Sequence, residues 1–353
     1  PTRRSSDLAG VSGLAASTYV DRFDRKRLLL TMYGLFALAT LACGLAPTYE
    51  FLMGARLAAG LFGGVLSALS QTIVADVVPF ERRGRAMAVV MSSFSFSTVA
   101  GVPLGLVLAN HLGWHATFVA IALLSGVLVV AAMLTMPPLH AHVAAARGRS
   151  AWAGIRQVLA DANHLRAFAF SLAMMSAGFV AIPYITLYMR ANAGLSVDDI
   201  PYIYLVGGAA TLVSARWVGR LSDRRGKVAV FSVLALALTV PLLGLTVMPA
   251  WPLPAVLVVS TLLFVVMSGR MIPGMALIGA SANPQRRGSF MTLNSAVQSL
   301  AMGMAALVGG LILGRDGDGH LTHYWVSALV GGCASVLSFV LSSKLRLHGA
   351  ATN

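Results

Sequence analysis

Long apolar runs separated by short basic loops constrain the fold of this chain more than any other feature. Runs of about 20 residues recur along the 353-residue sequence, and charged residues make up only 11% of it. A soluble domain has about 25% charged residues. An apolar helix of about 20 residues crosses a bilayer while hydrogen-bonding its own backbone internally. The sequence therefore predicts an all-α, multi-pass membrane protein.

The apolar runs predict the number of helices. Ten full helices are expected at 28–46, 50–77, 84–109, 114–136, 164–189, 199–221, 227–248, 252–281, 288–313 and 322–343, after a partial helix at 9–20. One more helix in front would give two six-helix repeats, so we expect the first helix to be missing here and the second to be partial. Residues 1–8 begin without Met and read as translated sequencing adapter, so we expect them to be non-native.

Two charged motifs occur twice at nearly the same separation. The loop Asp21-Arg22-Phe23-Asp24-Arg25-Lys26-Arg27 resembles the loop Gly219–Lys227, and Asp21 and Asp223 are 202 residues apart. Arg82-Arg83-Gly84-Arg85-Ala86-Met87 matches Arg286-Arg287-Gly288-Ser289-Phe290-Met291 at an offset of 204. Two unrelated motifs with one offset indicate two copies of a membrane-embedded half, which is typical of secondary transporters.

This repeat predicts the domain organisation. We expect an N-terminal transmembrane half at 9–136, a C-terminal half at 164–346 and a tail at 347–353. The basic segment 137–163 between the halves is expected to be a cytoplasmic linker, and its short amphipathic stretch, Ala151 to Ala160, is expected to lie at the membrane surface.

The distribution of Lys and Arg predicts the orientation. Nineteen of the 26 basic residues lie in the loops and tail of one side, whereas only Arg190 and Arg315 lie in the opposite loops. The positive-inside rule therefore places the basic side and the C-terminus in the cytoplasm, as in a protein of the bacterial cytoplasmic (inner) membrane. The net charge of +14 resides in short loops, which does not favour a nucleic-acid partner.

Two motifs carry a resemblance to the major facilitator superfamily. Gly219–Lys227 is similar to that family's cytoplasmic loop signature, and Gly101-Val102-Pro103-Leu104-Gly105 is similar to its antiporter motif. Leu112–Phe118 is similar to the start of the sixth helix in bacterial drug and sugar efflux members. The resemblance covers 9–346 and implies the major-facilitator fold, with alternating access and export of a small molecule in exchange for protons. A proton-coupled uptake symporter of the same fold is the alternative, and the antiporter motif weighs against it.

The resemblance also implies a conformational latch at the cytoplasmic side. Docking of a loop aspartate at a helix N-terminus is favoured by about 0.3–1 kcal/mol, and pairing with nearby charges would hold the gate shut. The expected latch residues are Asp21, Arg25, Asp76, Asp223 and Arg224. The alternative is that these charges only set the topology.

The antiporter motif is expected to form a pliable, tightly packed seam between the halves. Glycine permits close approach of helices and proline permits bending, so Gly101, Pro103 and Gly105 would supply both. A generic packing kink is the alternative.

Three arginines fall inside apolar runs, where an arginine costs at least about 2.5–3.5 kcal/mol. Arg270 is the deepest and is followed by Pro273, so we expect it to contact an anionic or polar substrate; a structural ion pair is the alternative. Arg56 matches an arginine that the family associates with proton coupling, with snorkelling to the outer surface as the alternative. Arg216 is expected to snorkel to the cytoplasm.

The rest of the predicted pathway is apolar and adaptable. Methionine and aromatic side chains suit promiscuous ligands, and the expected lining is Met175, Phe179, Tyr184 and Met267; ordinary packing is the alternative. No carboxylate lies mid-membrane in the sequence, so proton coupling is expected from an acid on the first helix, from a peripheral acid or from the substrate.

The expected partners are a small-molecule substrate, protons and the bilayer. No cofactor or metal is expected, and we expect a monomer. Within the apolar runs the sequence has no paired carboxylates, histidine cluster or nucleophile–base pair, which disfavours an enzyme or a non-transport sensor.

Overall fold

Helices dominate the computed structural model, which describes residues 25–77, 93, 96–136, 151–248, 250–283 and 286–348. They are α1 (Arg25–Gly44), α2 (Tyr49–Val77), α3 (Val102–Leu112), α4 (Trp114–Thr135), α5 (Ala151–Leu159), α6 (Ala162–Phe179), α7 (Ile185–Ala191), α8 (Ile200–Arg225), α9 (Lys227–Ala237), α10 (Thr239–Thr246), α11 (Leu253–Ser281), α12 (Arg287–Ile312) and α13 (Tyr324–Ser342). A π-helical turn, Ser97–Gly101, precedes α3, and a 3₁₀ turn, Ile182–Tyr184, lies between α6 and α7.

The all-α prediction is confirmed, and the helices other than α5 fall on the predicted apolar runs, whereas α5 falls on the predicted amphipathic stretch. Three details were not predicted. The run 164–189 is divided into α6 and α7, the run 227–248 is divided into α9 and α10, and a short antiparallel hairpin pairs Gly314–Arg315 (β1) with Leu321–Thr322 (β2). The expected partial helix at 9–20 and the segment 1–8 lie outside the described residues.

Seven helical segments of the described residues are long and apolar enough to cross a membrane. They are Lys26–Gly44, Trp114–Thr135, Ala162–Ala191, Lys227–Thr246, Leu253–Ser281, Ser289–Ile312 and Tyr324–Ser342. Helices α2 and α8 have 29 and 26 residues and carry charges near their ends. At about 1.5 Å per residue, both are also long enough to cross the hydrocarbon core.

The contacts divide the helices into two compact units. The first contains α1, α2, α4 and Thr292–Leu300 of α12; the second contains Ser95–Val107, α6 to α11 and α13. The predicted boundaries of the two halves stay a prediction.

The first unit is built around α1, which packs against α2 and α4. Leu69 is fully buried among leucine side chains of α1. Gly44 allows close approach, since a Cβ there would lie 2.9 Å from Val119 Cγ2. Elsewhere along α4, large side chains such as Leu123 and Leu134 are exposed, as expected of a helix against lipid.

The second unit has the larger core. Helix α6 packs against α13, and α8 and α9 pack against α11. Phe170 of α6 and Phe231 of α9 are fully buried and meet edge to face, with ring centroids 4.9 Å apart.

Asn163 joins three chain segments at one end of this unit. The side chain of Asp161 caps α6 by accepting the Asn163 N–H at 2.9 Å. Asn163 Nδ2 donates to the carbonyls of Ser281 and Arg346, and the Arg346 N–H donates to Asn163 Oδ1 at 2.9 Å. The amide therefore ties the start of α6 to the end of α11 and to the segment after α13.

The turn between α8 and α9 explains part of the loop signature. Gly226 ends α8 and precedes Lys227 with φ of +87°. A residue with a Cβ is strained at that φ, so glycine is required for the tight reversal between the two helices.

Candidate functional site

Arg270 of α11 is the largest fully buried side chain among the described residues. Its Nη2 donates to the carbonyl of Met174 on α6 at 2.8 Å, whereas Nε and Nη1 have no hydrogen-bond partner. No carboxylate of the described chain pairs with it. The alternative of a structural ion pair is therefore not supported there, and the guanidinium keeps most of its N–H groups unused.

Two methionine–glycine contacts surround Arg270. A Cβ on Gly178 of α6 would overlap the terminal methyl of Met267, and a Cβ on Gly274 of α11 would overlap the sulfur of Met174. Each glycine thus provides a notch that a thioether fills. Because methionine is flexible and polarisable, these walls can be displaced more easily than branched or aromatic side chains.

The break between α6 and α7 lies on the same chain segment as this site. Helix α6 ends at Phe179, and the 3₁₀ turn contains Pro183. The Tyr324 hydroxyl of α13 donates to the carbonyl of Ala181 at 2.9 Å. Irregular backbone at membrane depth is tolerated when it is buried in protein and its carbonyls are bonded, as here.

Tyr184 is engaged with α12. Its hydroxyl donates to the carbonyl of Ala306 at 2.6 Å, and its ring faces Gly309 and Gly310. This bond fixes the turn against α12, so the hydroxyl is not free to bind a ligand in this conformation.

The other predicted pathway residues are Met267, Met175 and Phe179. Met267 lies beside Arg270, as the contact with Gly178 shows. Met175 is buried, and Phe179 is partly buried against the core of the second unit. The structure brings Met267 and Arg270 together, and it gives Tyr184 a structural contact.

Arg56 of α2 packs against α4 in the first unit. Its Cζ lies 4.6 Å from the centroid of the Phe118 ring, and Nε has no partner. Trp114 stacks on His115 and meets Phe118 edge to face. A cation over an aromatic face gains about 0.5–2 kcal/mol, so aromatic packing partly stabilises this arginine. Its role in proton coupling stays a prediction.

Arg216 of α8 is exposed. Its snorkelling to the cytoplasm stays a prediction, and its exposure contrasts with the burial of Arg270 in the same unit.

The antiporter motif begins in the π-helical turn. The N–H of Val102 donates to the carbonyl of Ser97, and Pro103, which follows, is buried. The close helix contact is made one turn earlier, where Gly208 of α8 meets Val99: a Cβ on Gly208 would lie 2.9 Å from Val99 Cα. A Cβ on Gly101 would meet the Ser97 side chain of its own turn, and Gly105 is half-buried.

The latch residues remain a prediction. Asp21 lies outside the described residues, as do the side chains of Arg25 and Asp76. Asp223 and Arg224 are exposed at the end of α8, and neither forms an ion pair with the part of the chain that the structure describes.

An acidic turn lies between β1 and β2. Possible ligand atoms of Asp316, Asp318 and His320 lie within 4.8 Å of one another, and all three side chains are exposed. Asp316 Oδ1 accepts the His320 N–H at 2.8 Å, which accounts for the turn. We assign no metal site to it.

Sequence reasoning missed part of the Arg270 environment, namely Met174, Gly178 and Phe231. The signal was present as a spacing, because Met174 and Gly178 are four apart on α6. This spacing does not show which face of α6 points toward Arg270, because the rotation of the helix is unknown from sequence. The prediction therefore chose the neighbouring Met175.

Comparisons with known proteins agree with this architecture. The model of the Major Facilitator Superfamily matches residues 8–269. The "Chloramphenicol resistance protein" of Streptomyces lividans is 30% identical over 329 residues, which cover 90% of this chain and 80% of that protein. The "Uncharacterized MFS-type transporter YbcL" of Bacillus subtilis (strain 168) is 26% identical over 335 residues, which cover 92% and 82%.

Proposed function

The chain belongs to the Major Facilitator Superfamily and is a multi-pass membrane transporter, and we propose that it exports a small amphipathic molecule in exchange for protons. Export would proceed by alternating access, in the bacterial cytoplasmic membrane, with the C-terminus in the cytoplasm. The similarity to a chloramphenicol resistance protein over most of both chains is the observation that carries the proposal.

The antiporter motif gives independent support for exchange over uptake. Gly101, Pro103 and Gly105 follow the family pattern, and they adjoin a π-helical turn. Such turns occur frequently at functional sites, because they store a local change of helical register. The alternative of a proton-coupled symporter has no such motif in its favour.

The second unit supplies features suited to a substrate pathway. A buried cation, two displaceable thioether walls and an interrupted helix occur together on α6, α7 and α11. Interrupted helices near buried polar groups are typical of binding sites in secondary transporters.

The source of the coupling proton remains one of three candidates. The acidic residues of the described chain occupy helix ends and turns, as Asp161, Asp199 and Asp316 do. Coupling would therefore use a peripheral carboxylate, an acid outside the described residues or a titratable group of the substrate.

Proton movement in proteoliposomes tests the exchange. The protein is reconstituted with a luminal pH dye, and chloramphenicol is added outside without an imposed pH gradient. Antiport predicts that the lumen becomes alkaline as drug enters and protons leave, whereas symport predicts acidification.

A motif variant and a matched control sharpen this test. Pro103→Leu is expected to slow the exchange by at least about tenfold, which corresponds to about 1.4 kcal/mol in the barrier. Cys333→Ser, at an exposed position of α13, is expected to transport normally. Absence of drug-dependent proton movement with chloramphenicol and with a panel of amphipathic drugs would contradict the proposed function.

A further inference from the structure

We propose that Arg270 is an anion subsite of the substrate pathway, and that the molecules this pathway accepts include those that join a carboxylate or similar oxyanion to an apolar body. The guanidinium buried between α6 and α11, whose Nε and Nη1 have no hydrogen-bond partner among the described residues, carries this inference. It rests on the proposed export function, since it names the substrate class of that pathway.

The buried arginine lacks a counterion among the described residues. Arg270 has no exposed surface, and within those residues its one hydrogen bond is to the Met174 carbonyl. An unpaired buried charge is strongly unfavourable, and charged side chains within membranes normally pair with one another or with backbone carbonyls. Within the described residues, the Met174 carbonyl is the acceptor that the guanidinium reaches, and Nε and Nη1 have no hydrogen-bond partner.

The described carboxylates of the second unit lie at helix ends or in a turn, and not at the depth where they could be the counterion of Arg270. Asp161 caps the first turn of α6, and Asp223 lies in the last turn of α8. The other four precede α8 or lie in the turn between β1 and β2: Asp198, Asp199, Asp316 and Asp318. Arg270, in contrast, lies well inside the 29-residue helix α11. No carboxylate of the described residues lies at that level, so we assign the oxyanion that reaches Arg270 to a bound molecule.

The guanidinium defines the chemistry of that molecule. Its planar arrangement of N–H groups matches a carboxylate or another oxyanion better than it matches a neutral acceptor. Each charge-assisted hydrogen bond to Nε or Nη1 would also satisfy a donor that is now buried without a partner.

The surroundings of Arg270 define the rest of the molecule. The thioethers of Met174 and Met267, together with the Phe231 ring beside Gly274, form an apolar lining. An apolar body beside the anion fits this lining, because methionine walls adapt to irregular shapes.

Helix α11 has a local weakness at this site. Pro273 lies inside the helix and cannot donate the hydrogen bond that the Gly269 carbonyl would otherwise accept. Bending at that point would move Arg270 relative to Met174 and open the thioether contacts to a ligand.

A structural interpretation makes a different prediction. If Arg270 only joins α11 to α6 through the Met174 carbonyl, an anion would have no effect on stability. The comparison of a carboxylate with its neutral amide therefore separates the two.

Thermal unfolding of the detergent-purified protein is the direct experiment. Benzoate and benzamide are titrated separately, with sodium chloride at equal ionic strength as a third arm. We expect benzoate to raise the unfolding midpoint by about 2–4 °C near saturation, while benzamide and chloride leave it unchanged. Equal effects of benzoate and benzamide would overturn the subsite, as would no effect of either. Equal effects of benzoate and chloride would show a resident inorganic anion and overturn the substrate class.

Variants assign the effect to Arg270. Arg270→Gln is expected to weaken the apparent affinity for benzoate at least about tenfold, and Arg270→Lys is expected to retain part of it because the charge is kept. Arg216→Gln, at an exposed position of the same unit, is expected to bind benzoate as the parent protein does. Unchanged benzoate binding in Arg270→Gln would refute the assignment.

The failure of the subsite and the failure of the export function are distinguishable. Chloramphenicol-driven proton movement in proteoliposomes measures the function without an added carboxylate. If that exchange occurs but benzoate does not bind, the substrate class is wrong and the exporter stands. If benzoate binds in an Arg270-dependent manner without any exchange, the subsite stands and the transport proposal is wrong.

Discussion

Replacing Arg270 by methionine should stabilise the ligand-free protein. Methionine retains an unbranched side chain of similar reach and removes a buried charge with two unpartnered nitrogens. Replacing buried ionic groups with apolar residues of similar volume is often neutral or stabilising by about 1–4 kcal/mol.

The contacts of Arg270 give the size of the effect. The variant loses one hydrogen bond from a charged group, worth about 1.5–3 kcal/mol, and it relieves two unsatisfied nitrogens that cost about 1–3 kcal/mol each. At mid-range, a loss of about 2 kcal/mol is set against a gain of about 4 kcal/mol. The net stabilisation is about 2 kcal/mol, which corresponds to about 4 °C in the midpoint at about 2 °C per kcal/mol.

Thermal unfolding in detergent without added anions measures this change. The control is Arg216→Met on α8, where the parent side chain is exposed and a change within about 0.5 kcal/mol is expected. If Arg270→Met lowered the midpoint by several degrees while Arg216→Met did not, a partner would be satisfying the arginine, and the reasoning from unused N–H groups would be refuted.

Three further predictions concern packing and exposure. Gly309→Ala should destabilise the folded protein by about 1–3 kcal/mol, because its Cβ would overlap the carbonyl at the end of α6. The control is Gly34→Ala, since a Cβ there would have nothing within 4 Å in the part of the chain that the structure describes. Equal unfolding midpoints of the two variants would contradict the contact. Asn163→Ala should cost about 2–4 kcal/mol through its lost bonds, measured by chemical denaturation, and Asn163→Asp should be intermediate because Oδ1 is kept; a neutral Asn163→Ala would disprove the tie between segments. N-Ethylmaleimide should label the exposed Cys333 before the buried Cys43, and mass spectrometry measures the order of labelling. The reverse order would argue against the position of α1.

Much of the fold could be predicted from the sequence. Apolar runs placed the helices, since a helix satisfies its backbone hydrogen bonds within its own segment in lipid, and the described helices α1, α2, α4 and α6 to α13 fall on those runs. The turn after α8 was also readable, because Gly226 stands where a positive φ is needed.

The hydropathy of the sequence does not predict where the helices are interrupted. The break after Phe179 keeps the run apolar and changes only the backbone, so composition does not reveal it. The π-helical turn Ser97–Gly101 likewise depends on the register of hydrogen bonds before Pro103. Pro183 and Pro103 were visible signals, but proline alone does not fix whether a helix bends, breaks or gains a residue.

The sequence by itself determined that this chain crosses the membrane repeatedly, that its basic residues are concentrated in the loops of one predicted side, and that Arg270 lies deep in an apolar run. Tertiary structure decided what Arg270 meets: the Met174 carbonyl, the Gly178 and Gly274 notches and no carboxylate among the described residues. The reason is physical. A helix that is apolar on every face gives no signal of its rotation, since lipid and protein interior are equally apolar, so only packing selects which residues face one another.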